Sequence, residues 1–390
     1  MIDDYDIVVV GAGPAGSTAA RVASEHGAKV LVLEKDREIG IPVRCGEAVG
    51  DKGLRRVLEP RPEWIANAIE AVRLIAPDET VVTVHHDDIG YILDRKRFDY
   101  DLAMMAAQRG AKIVTKAYVY GLIIENGTVK GVKVLHLGNH YQIRAKVVIG
   151  ADGVESRVGR WAGLKTAVRL KDMESCVQMT VSNITLDRRY CDFYFATTVA
   201  PGGYLWVFPK NDHLANIGLG VSGEFAAKKA PLFYLREFID RKFPKAAILT
   251  TVAGGVPCAP FMDKIVTSGL MLVGDAAHQA NPLTGGGIVQ SIIAAEIAGR
   301  VAAMACKEND CSETRLQEYS KAWDKENGSN HRRAYRLKEA VYKLTDSDLN
   351  RTAAAIAQKP PEKQTILNIF TTALIQHPKL LPDIVKLFMA

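Results

Sequence analysis

Y-D-I-V-V-V-G-A-G-P-A-G, residues 5–16, decides the fold. Six residues apolar enough for a buried strand run straight into G-x-G-x-x-G. An alanine-rich stretch then continues to Gly27, and K-V-L-V-L-E (residues 29–34) returns as a second strand. The order is strand, glycine-rich turn, helix, strand. Gly11 permits the tight turn, Gly13 lets a pyrophosphate approach the backbone, and Gly16 lets the helix lie close on the strand. The helix N-terminus, with Ala15 in its first turn, offers unpaired N–H groups to an anion. Glu34, 18 residues beyond Gly16, closes the second strand where a carboxylate can accept from an adenosine ribose hydroxyl. Glycine spacing alone recurs by chance. Spacing, both flanking elements and a terminal acid together mark a dinucleotide site over Gly11, Gly13, Ala15, Gly16 and Glu34.

At 390 residues the chain exceeds one ordinary domain. A 48% hydrophobic and 24% charged composition excludes the disordered and membrane-embedded classes. The longest apolar helical stretch, Gly286 to Ala305, is interrupted by Gln290, Glu296 and Arg300 and reads as buried in protein. With no span of about 18 uncharged apolar residues and no signal-peptide pattern, a cytoplasmic protein is expected, soluble or peripheral on the inner membrane face. The net charge of +6 is modest; it suits an anionic membrane surface or an ordinary solvated one, and makes no case for nucleic acid. The six cysteines show neither C-x-x-C nor zinc spacing, so no metal site is expected. Cys306 and Cys311 could pair, although reduced thiols are the expectation inside a cell.

The remaining chain alternates between strand and helix patterns. Lys35 to Gly53 reads as a loop carrying P-V-R-C-G-E-A (residues 42–48), a candidate ligand loop. Ala71 to Leu93 alternates as strands, with His85, His86, Asp87 and Asp88 read as a polar turn between two of them in preference to a metal cluster. Asp94 to Ala107 is helical. Lys112 to Val114, Ala117 to Ile124 and Val129 to Val134 are strands, with a turn at Asn126–Gly127. Val168 to Val221 reads as antiparallel strands, Phe225 to Phe243 as an amphipathic helix, and everything from Leu316 onward as helical. Two further strands end in chemistry-bearing turns, G-A-D-G (residues 150–153) and G-L-M-L-V-G-D-A-A-H (residues 269–278), and P-L-T-G-G-G (residues 282–287) follows the second. Acids at strand C-termini sit where open α/β sheets bind ligands. The expected fold is α/β: a discontinuous Rossmann-like domain (1–70, 94–165, 263–315), an inserted antiparallel-sheet domain (71–93, 166–262) and a C-terminal helical region (316–390).

The three turns in this order resemble the aromatic-hydroxylase class of FAD proteins. That resemblance implies FAD, with Asp152 in the central D-G, Asp275 on the ribityl chain and Gly286, Gly287 and Ile288 beside the isoalloxazine. It also implies contacts from Arg97 and from the Val119 backbone. The P-V-R-C-G-E-A loop and P-G-G-Y-L-W-V-F-P (residues 201–209) narrow the likeness to the geranylgeranyl reductases, over essentially the whole length. These saturate isoprenoid double bonds, archaeal ether lipids among their substrates, by hydride transfer from the reduced flavin N5 together with a proton. The resemblance also places Arg44, Cys45, Gly46 and Ala48 by the cofactor.

Tyr204, Trp206 and Phe208 alternate, so on a strand they share one face. Such a face is either plain core or the wall of an apolar channel for a prenyl chain. Cys45, Tyr204 and Trp206 are the catalytic candidates; Cys45 is either a relay or inert packing, and the proton donor stays open among Tyr204, Cys45 and water. His278 reads as a loop cap. Gly218, Gly220 and Gly223 repeat G-x-G-x-x-G, but without a strand–helix–strand setting they read as a glycine-rich strand. Electrons are then expected from a docked donor such as reduced ferredoxin or NAD(P)H. The basic run His331, Arg332, Arg333, Arg336 and Lys338 can meet a lipid phosphate or simply face solvent, and Ile366 to Met389 is an apolar helical tail. The competing functions are a flavin-dependent aromatic hydroxylase and a non-catalytic prenyl-lipid carrier.

Overall fold

The computed structural model describes residues 4–364 with Asn368, Ile369 and Thr372, and of residues 85–89 and 362 only the backbone. The expected tail of Ile366 to Met389 therefore falls almost wholly outside the described residues. Two compact units are each assembled from three chain segments. Met1–Pro42, Arg95–Val168 and Pro257–Arg332 make the first, and Val43–Asp94, Arg169–Val256 and Arg333–Ala390 the second.

The first unit is built on a sheet ordered Val266–Thr267, Leu270–Leu272, Asn139–Gly150, Tyr5–Val10, Val30–Leu33, Lys112–Val114. Along this row every pair is parallel except the first, and Thr128–His136 joins the sheet antiparallel to Asn139–Gly150. Tyr5–Val10 is a run of apolar residues, Ile7, Val8 and Val9 fully buried, as a strand covered on both faces requires. The helix Pro14–Glu25 starts on Pro14, whose fixed φ and missing N–H suit the first helical position. It packs against Ile288–Glu308, where Gly299 lets the backbones meet: a Cβ there would lie 2.5 Å from the Ala19 carbonyl oxygen. Among the described residues Ile288–Glu308 is the one helix long and apolar enough to cross a membrane, and 67% of its most apolar stretch is buried inside the chain. The hairpin Ala117–Glu125 with Thr128–His136 turns at Asn126–Gly127, both at positive φ as a two-residue hairpin turn demands.

The second unit carries an eight-stranded sheet ordered Ala247–Pro257, Met173–Ser182, Leu214–Ser222, Tyr204–Asn211, Tyr190–Tyr194, Ile65–Ile75, Val81–Leu93, Ala48–Gly50. One face packs on the helix Pro231–Lys242, whose Leu235, Phe238 and Ile239 meet Val177, Met179, Leu205, Val207, Ile217 and Leu219. Alternation therefore turns Tyr204, Trp206 and Phe208 to the opposite face.

Four local expectations change. The H-H-D-D tetrad makes no hairpin tip: Val81–Leu93 is one strand through it, and the turn lies at residues 76–80, where Asp78 accepts from the Thr80 N–H. The polar residues fall at a register irregularity, Ile69 opposite Gly90 but Ala71 opposite His85. Tyr190–Tyr194 runs parallel to Ile65–Ile75, so the sheet is mixed. Ala247–Pro257 is an edge strand that its exposure and its glycine pair conceal from pattern reading. The Lys35 to Gly53 loop ends in the short edge strand Ala48–Gly50.

Candidate active site

In the first unit the three glycine-marked turns converge through contacts that only glycine permits. A Cβ on Gly16 would fall 1.9 Å from the Gly11 carbonyl oxygen, and one on Gly11, at φ +101°, 2.4 Å from the Ala151 oxygen. The G-A-D-G turn thus lies against the first glycine turn. Gly274, at φ +68°, seats the third: its Cβ position is 3.1 Å from the Ala15 side chain and 3.5 Å from Ser291. Asp275 is thereby held between the starts of the helices Pro14–Glu25 and Ile288–Glu308, and its Oδ1 lies 3.3 Å from where a Gly287 Cβ would be. Neither helix start carries a side-chain cap or an acid in its first turn. Two positive helix ends thus stand available to anionic groups.

Around this centre the predicted residues take definite places. Glu34 accepts from the Ala12 N–H at 2.8 Å and the Asp36 N–H at 2.9 Å, which fixes the carboxylate beside the turn. Its backbone carbonyl receives the Ala117 N–H, so the strand bearing Val119 begins at Glu34. Asp152 accepts from the Val158 N–H through Oδ2, while its Oδ1 is buried without a partner, and burial raises its pKa. Burial also raises the Asp275 carboxyl, to about 6, against the opposing charge of Arg95. Arg95, ion-paired with Asp99 at 2.7 Å, is the residue sequence reasoning passed over; Arg97 turns its half-exposed side chain to Asp101. His278 is buried and meets the Thr166 carbonyl at 3.1 Å, a loop-pinning contact. The open space around Gly13, the two uncapped helix starts, the Glu34 carboxylate and the Asp152 oxygen without a partner form a donor and acceptor set that fits an extended dinucleotide.

In the second unit the two stretches singled out by sequence are brought together by a residue that neither contains. Gln178 donates from Nε2 to the Cys45 carbonyl at 2.8 Å and accepts at Oε1 from the Trp206 indole N–H at 3.0 Å. The loop rests on the aromatic face: a Gly46 Cβ would meet the Phe208 ring at 2.8 Å. Glu47, buried and at φ 75°, anchors the loop by pairing with Lys210 at 2.6 Å and accepting from Asn216. Arg44 is exposed, near Gly254, and Ala48 is exposed on its edge strand. Trp206 stacks on Phe208 with ring centroids 6.0 Å apart and meets Tyr204 edge-on at 5.9 Å. Phe193 packs against both Tyr204 and Phe208. Trp206 and Phe208 are 9% and 6% exposed, while Tyr204 is only partly buried, so the open end of the wall is the tyrosine end. The repeated glycine spacing at Gly218 has a packing cause, since a Cβ there would lie 2.5 Å from the Trp206 ring.

The cysteines and the basic run take the following places. None of the six cysteines is in a disulfide, so Cys306 and Cys311 are not joined; the Cys306 thiol donates to the Asp6 carbonyl at 3.4 Å. The basic run does not share one exposed face: His331 is buried against the Ala259 carbonyl, and Lys338 is fully buried and paired with Asp172. Among the described residues no cluster of His, Cys, Asp or Glu could hold a metal.

A parallel-sheet unit with a dinucleotide cradle, joined in one chain to an aromatic-faced mixed-sheet unit, defines the class of flavoprotein-like oxidoreductases. Residues 9–68 match the NAD(P)-binding Rossmann-like domain and residues 172–256 the geranylgeranyl reductase catalytic domain. Digeranylgeranylglycerophospholipid reductase 1 of Methanococcoides burtonii is 44% identical over 100% of this chain and 96% of its own. The digeranylgeranylglycerophospholipid reductase of Methanocella arvoryzae is 43% identical over 99% and 100%. A geranylgeranyl bacteriochlorophyll reductase-like protein from Thermoplasma acidophilum superposes with a TM-score of 0.92 at 36% identity, covering 99% of each chain. The FAD-dependent halogenase CndH, myxobacterial in origin, shares the fold at a TM-score of 0.67 and 18% identity over 96% of each chain. The chain belongs to the digeranylgeranylglycerophospholipid reductase family of geranylgeranyl reductases.

Proposed function

We propose that this chain is an FAD-dependent reductase that saturates the carbon–carbon double bonds of geranylgeranyl chains in archaeal-type glycerophospholipids. The observation that carries this reading is the Cys45–Gln178–Trp206 bridge, which ties the reductase-like loop to the Tyr204–Trp206–Phe208 wall in one rigid arrangement. Family membership supports the choice of lipid.

FAD, held by Gly11, Gly13, Ala15, Gly16, Glu34, Arg97, Val119, Asp152, Asp275, Gly286, Gly287 and Ile288, with Arg44, Cys45, Gly46 and Ala48 in attendance, supplies the hydride when reduced and bound. The remaining work belongs to side chains. An isolated alkene offers no polar handle, so binding rests on apolar area, and the rings of Tyr204, Trp206 and Phe208 provide it. Proton addition ahead of hydride leaves one carbon electron-poor, and the faces of Trp206 and Tyr204 stabilise that charge by cation–π attraction. Gln178 holds the indole in one orientation, which keeps that face pre-organised. Cys45, on the loop, and Tyr204, at the open end of the wall, flank the reacting chain. Reduced ferredoxin or NAD(P)H is the docked electron donor. We place the protein in the cytoplasm, either soluble or peripheral on the inner face of the membrane that holds its substrate.

The test is anaerobic mixing of FAD-loaded, dithionite-reduced protein with a geranylgeranyl glycerophospholipid, followed by mass spectrometry of the lipid. Flavin reoxidation with a gain of two hydrogens per double bond is expected. Turnover only with oxygen on a small aromatic would make it a hydroxylase, and a colourless protein that binds lipid unchanged would make it a carrier. Trp206→Ala should lower lipid reduction at least about tenfold with normal flavin content. A fall in flavin content with unchanged turnover per remaining flavin contradicts its assigned role.

A further inference from the structure

Glu174 is a buried acid to which nothing above gives a role. It lies near the start of the strand Met173–Ser182, and alternation places Glu174, Cys176 and Gln178 on one face. Register carries that face across the sheet: Cys176 is opposite Gly220 and Gly220 opposite Tyr204, while Gln178 is opposite Gly218 and Gly218 opposite Trp206. The hydrogen bond from Trp206 to Gln178 identifies it as the aromatic face. Glu174 therefore stands one row beyond Tyr204, at the end of the wall where the aromatic side chain is least covered.

Its two oxygens differ. Oε1 accepts from the Tyr342 hydroxyl, and Oε2 is buried with no hydrogen-bond partner, in a residue only 7% exposed. The space around Oε2 is kept by two glycines. A Cβ on Gly203 would lie 2.9 Å from it, and one on Gly220 3.4 Å. The P-G-G-Y turn and the G-L-G strand thus each leave a side chain out where this carboxyl sits.

The surrounding charges act in both directions. Lys338, fully buried and 3.1 Å from Asp172, draws the Glu174 carboxyl towards ionisation, as does the Tyr342 hydrogen bond, and Asp172 opposes them. Arg169 and Tyr335 bind the same Asp172, and Lys171 pairs with Glu339 nearby. Burial outweighs these influences and pushes Glu174 up to about 7. The neighbouring Cys176 thiol is raised much further by its own burial, so it does not compete as an acid.

We propose that Glu174 is the catalytic acid of the reductase reaction, delivering its proton from Oε2 to an alkene carbon of a chain laid along the Tyr204–Trp206 face. This rests on the reductase reading above. The π pair forms the new C–H bond with the Glu174 proton, and the O–H electrons remain on the carboxylate. The adjacent carbon, left short of a pair, takes the hydride that the bound reduced cofactor supplies. Water restores the proton to Oε1 by way of the Tyr342 hydroxyl, in a residue that is itself exposed, and rotation of the carboxyl returns it to the Oε2 position. An alkene has no lone pair with which to compete for a proton already shared with a protein acceptor, which is why the oxygen without a partner suits the task. A carboxyl kept neutral in an apolar site is the form that can donate.

The test compares wild-type protein, Glu174→Gln and Tyr342→Phe, each FAD-loaded, in single-turnover lipid reduction across pH. In wild type the active form is protonated, so the rate falls as pH rises through about 7. Glu174→Gln, which keeps the shape and the Tyr342 contact, should bind flavin normally, reduce lipid at least about 100-fold more slowly and lose that pH limb. Tyr342→Phe removes a bond that favours ionisation, so the limb should move to higher pH. Independently of turnover, difference infrared spectra should show a protonated-carboxyl stretch that titrates near neutrality in wild type and is absent from Glu174→Gln. An unchanged rate and limb in Glu174→Gln overturn the proposal, as does a slowed variant that keeps the wild-type limb. Should Glu174→Gln not fold, an unmoved limb in Tyr342→Phe overturns it. Wild type that reduces no lipid sinks the reductase reading itself, and this inference with it.

Discussion

Replacing Gln178 by Leu tests the bridge on which the second unit's site is organised. The side chain is 6% exposed and its amide serves two groups at once, the Cys45 carbonyl and the Trp206 indole N–H. Leucine fills the volume and serves neither. A buried polar group stranded in this way costs about 1–3 kcal/mol, so two would cost about 2–6 kcal/mol if nothing moved. The loop has an alternative that the strand lacks: it can lift, and water can then reach the Cys45 carbonyl. The expected loss is therefore about 2–4 kcal/mol, a large share of the ~5–15 kcal/mol that holds a folded protein together. Lifting also uncovers Cys45, whose labelling by a thiol reagent, mapped by mass spectrometry, should accelerate at least tenfold relative to Cys311. Trp206→Phe removes the donor from the other end. Because the two residues touch, the double variant should be less destabilised than the sum of the singles by about 1–2 kcal/mol in urea unfolding. Strictly additive losses, together with unchanged labelling of Cys45, would refute the bridge.

Three further outcomes follow from particular contacts. Gly16→Ala puts a methyl 1.9 Å from the Gly11 carbonyl oxygen, so the turn must open. Purified protein should lack flavin absorbance and lose at least about 2–3 kcal/mol of stability in denaturant unfolding. Gly218→Ala places a methyl 2.5 Å from the Trp206 ring, and the displaced indole should shift its fluorescence and slow lipid reduction while flavin content is retained. Asp275 has its folded-state carboxyl raised from 3.8 to about 6 by burial, so the flavin-free folded chain holds a proton that the unfolded chain has released. Stability of that form should then fall as pH climbs from about 4 to about 6, by up to about 3 kcal/mol, and Asp275→Asn should flatten the slope. Calorimetric melting across that range checks the sign.

What could be read from the chain alone was whatever a backbone constraint writes into neighbouring residues. Gly11 and Gly16 announce themselves because a single close approach forbids any other residue at both. Asn126–Gly127 likewise declares a hairpin, and the alternation of Tyr204, Trp206 and Phe208 declares a shared face. Gln178, Glu174 and Asn216 were invisible because their meaning lies in which residue stands opposite, and register across three strands is not encoded locally. Arg95 was overlooked beside Arg97 because both belong to one helix turn, and only the folded position tells which charge reaches Asp275. The H-H-D-D tetrad misled for the converse reason. Its composition is that of a turn, yet the strand absorbs it where the pairing slips.

The parallel pairing of Tyr190–Tyr194 with Ile65–Ile75 has a consequence for how the molecule is made. On a ribosome the earlier partner emerges more than a hundred residues before the later one, with the parts of another unit threaded between them. During that interval Ile69, Ala71 and Ile75, all buried at the end, have only the strand Val81–Leu93 beside them. Such long-range closure is slow and leaves sticky edges waiting. Nascent chains halted near residue 160 should therefore recruit holdase chaperones, and release should coincide with the appearance of the tyrosine-rich strand.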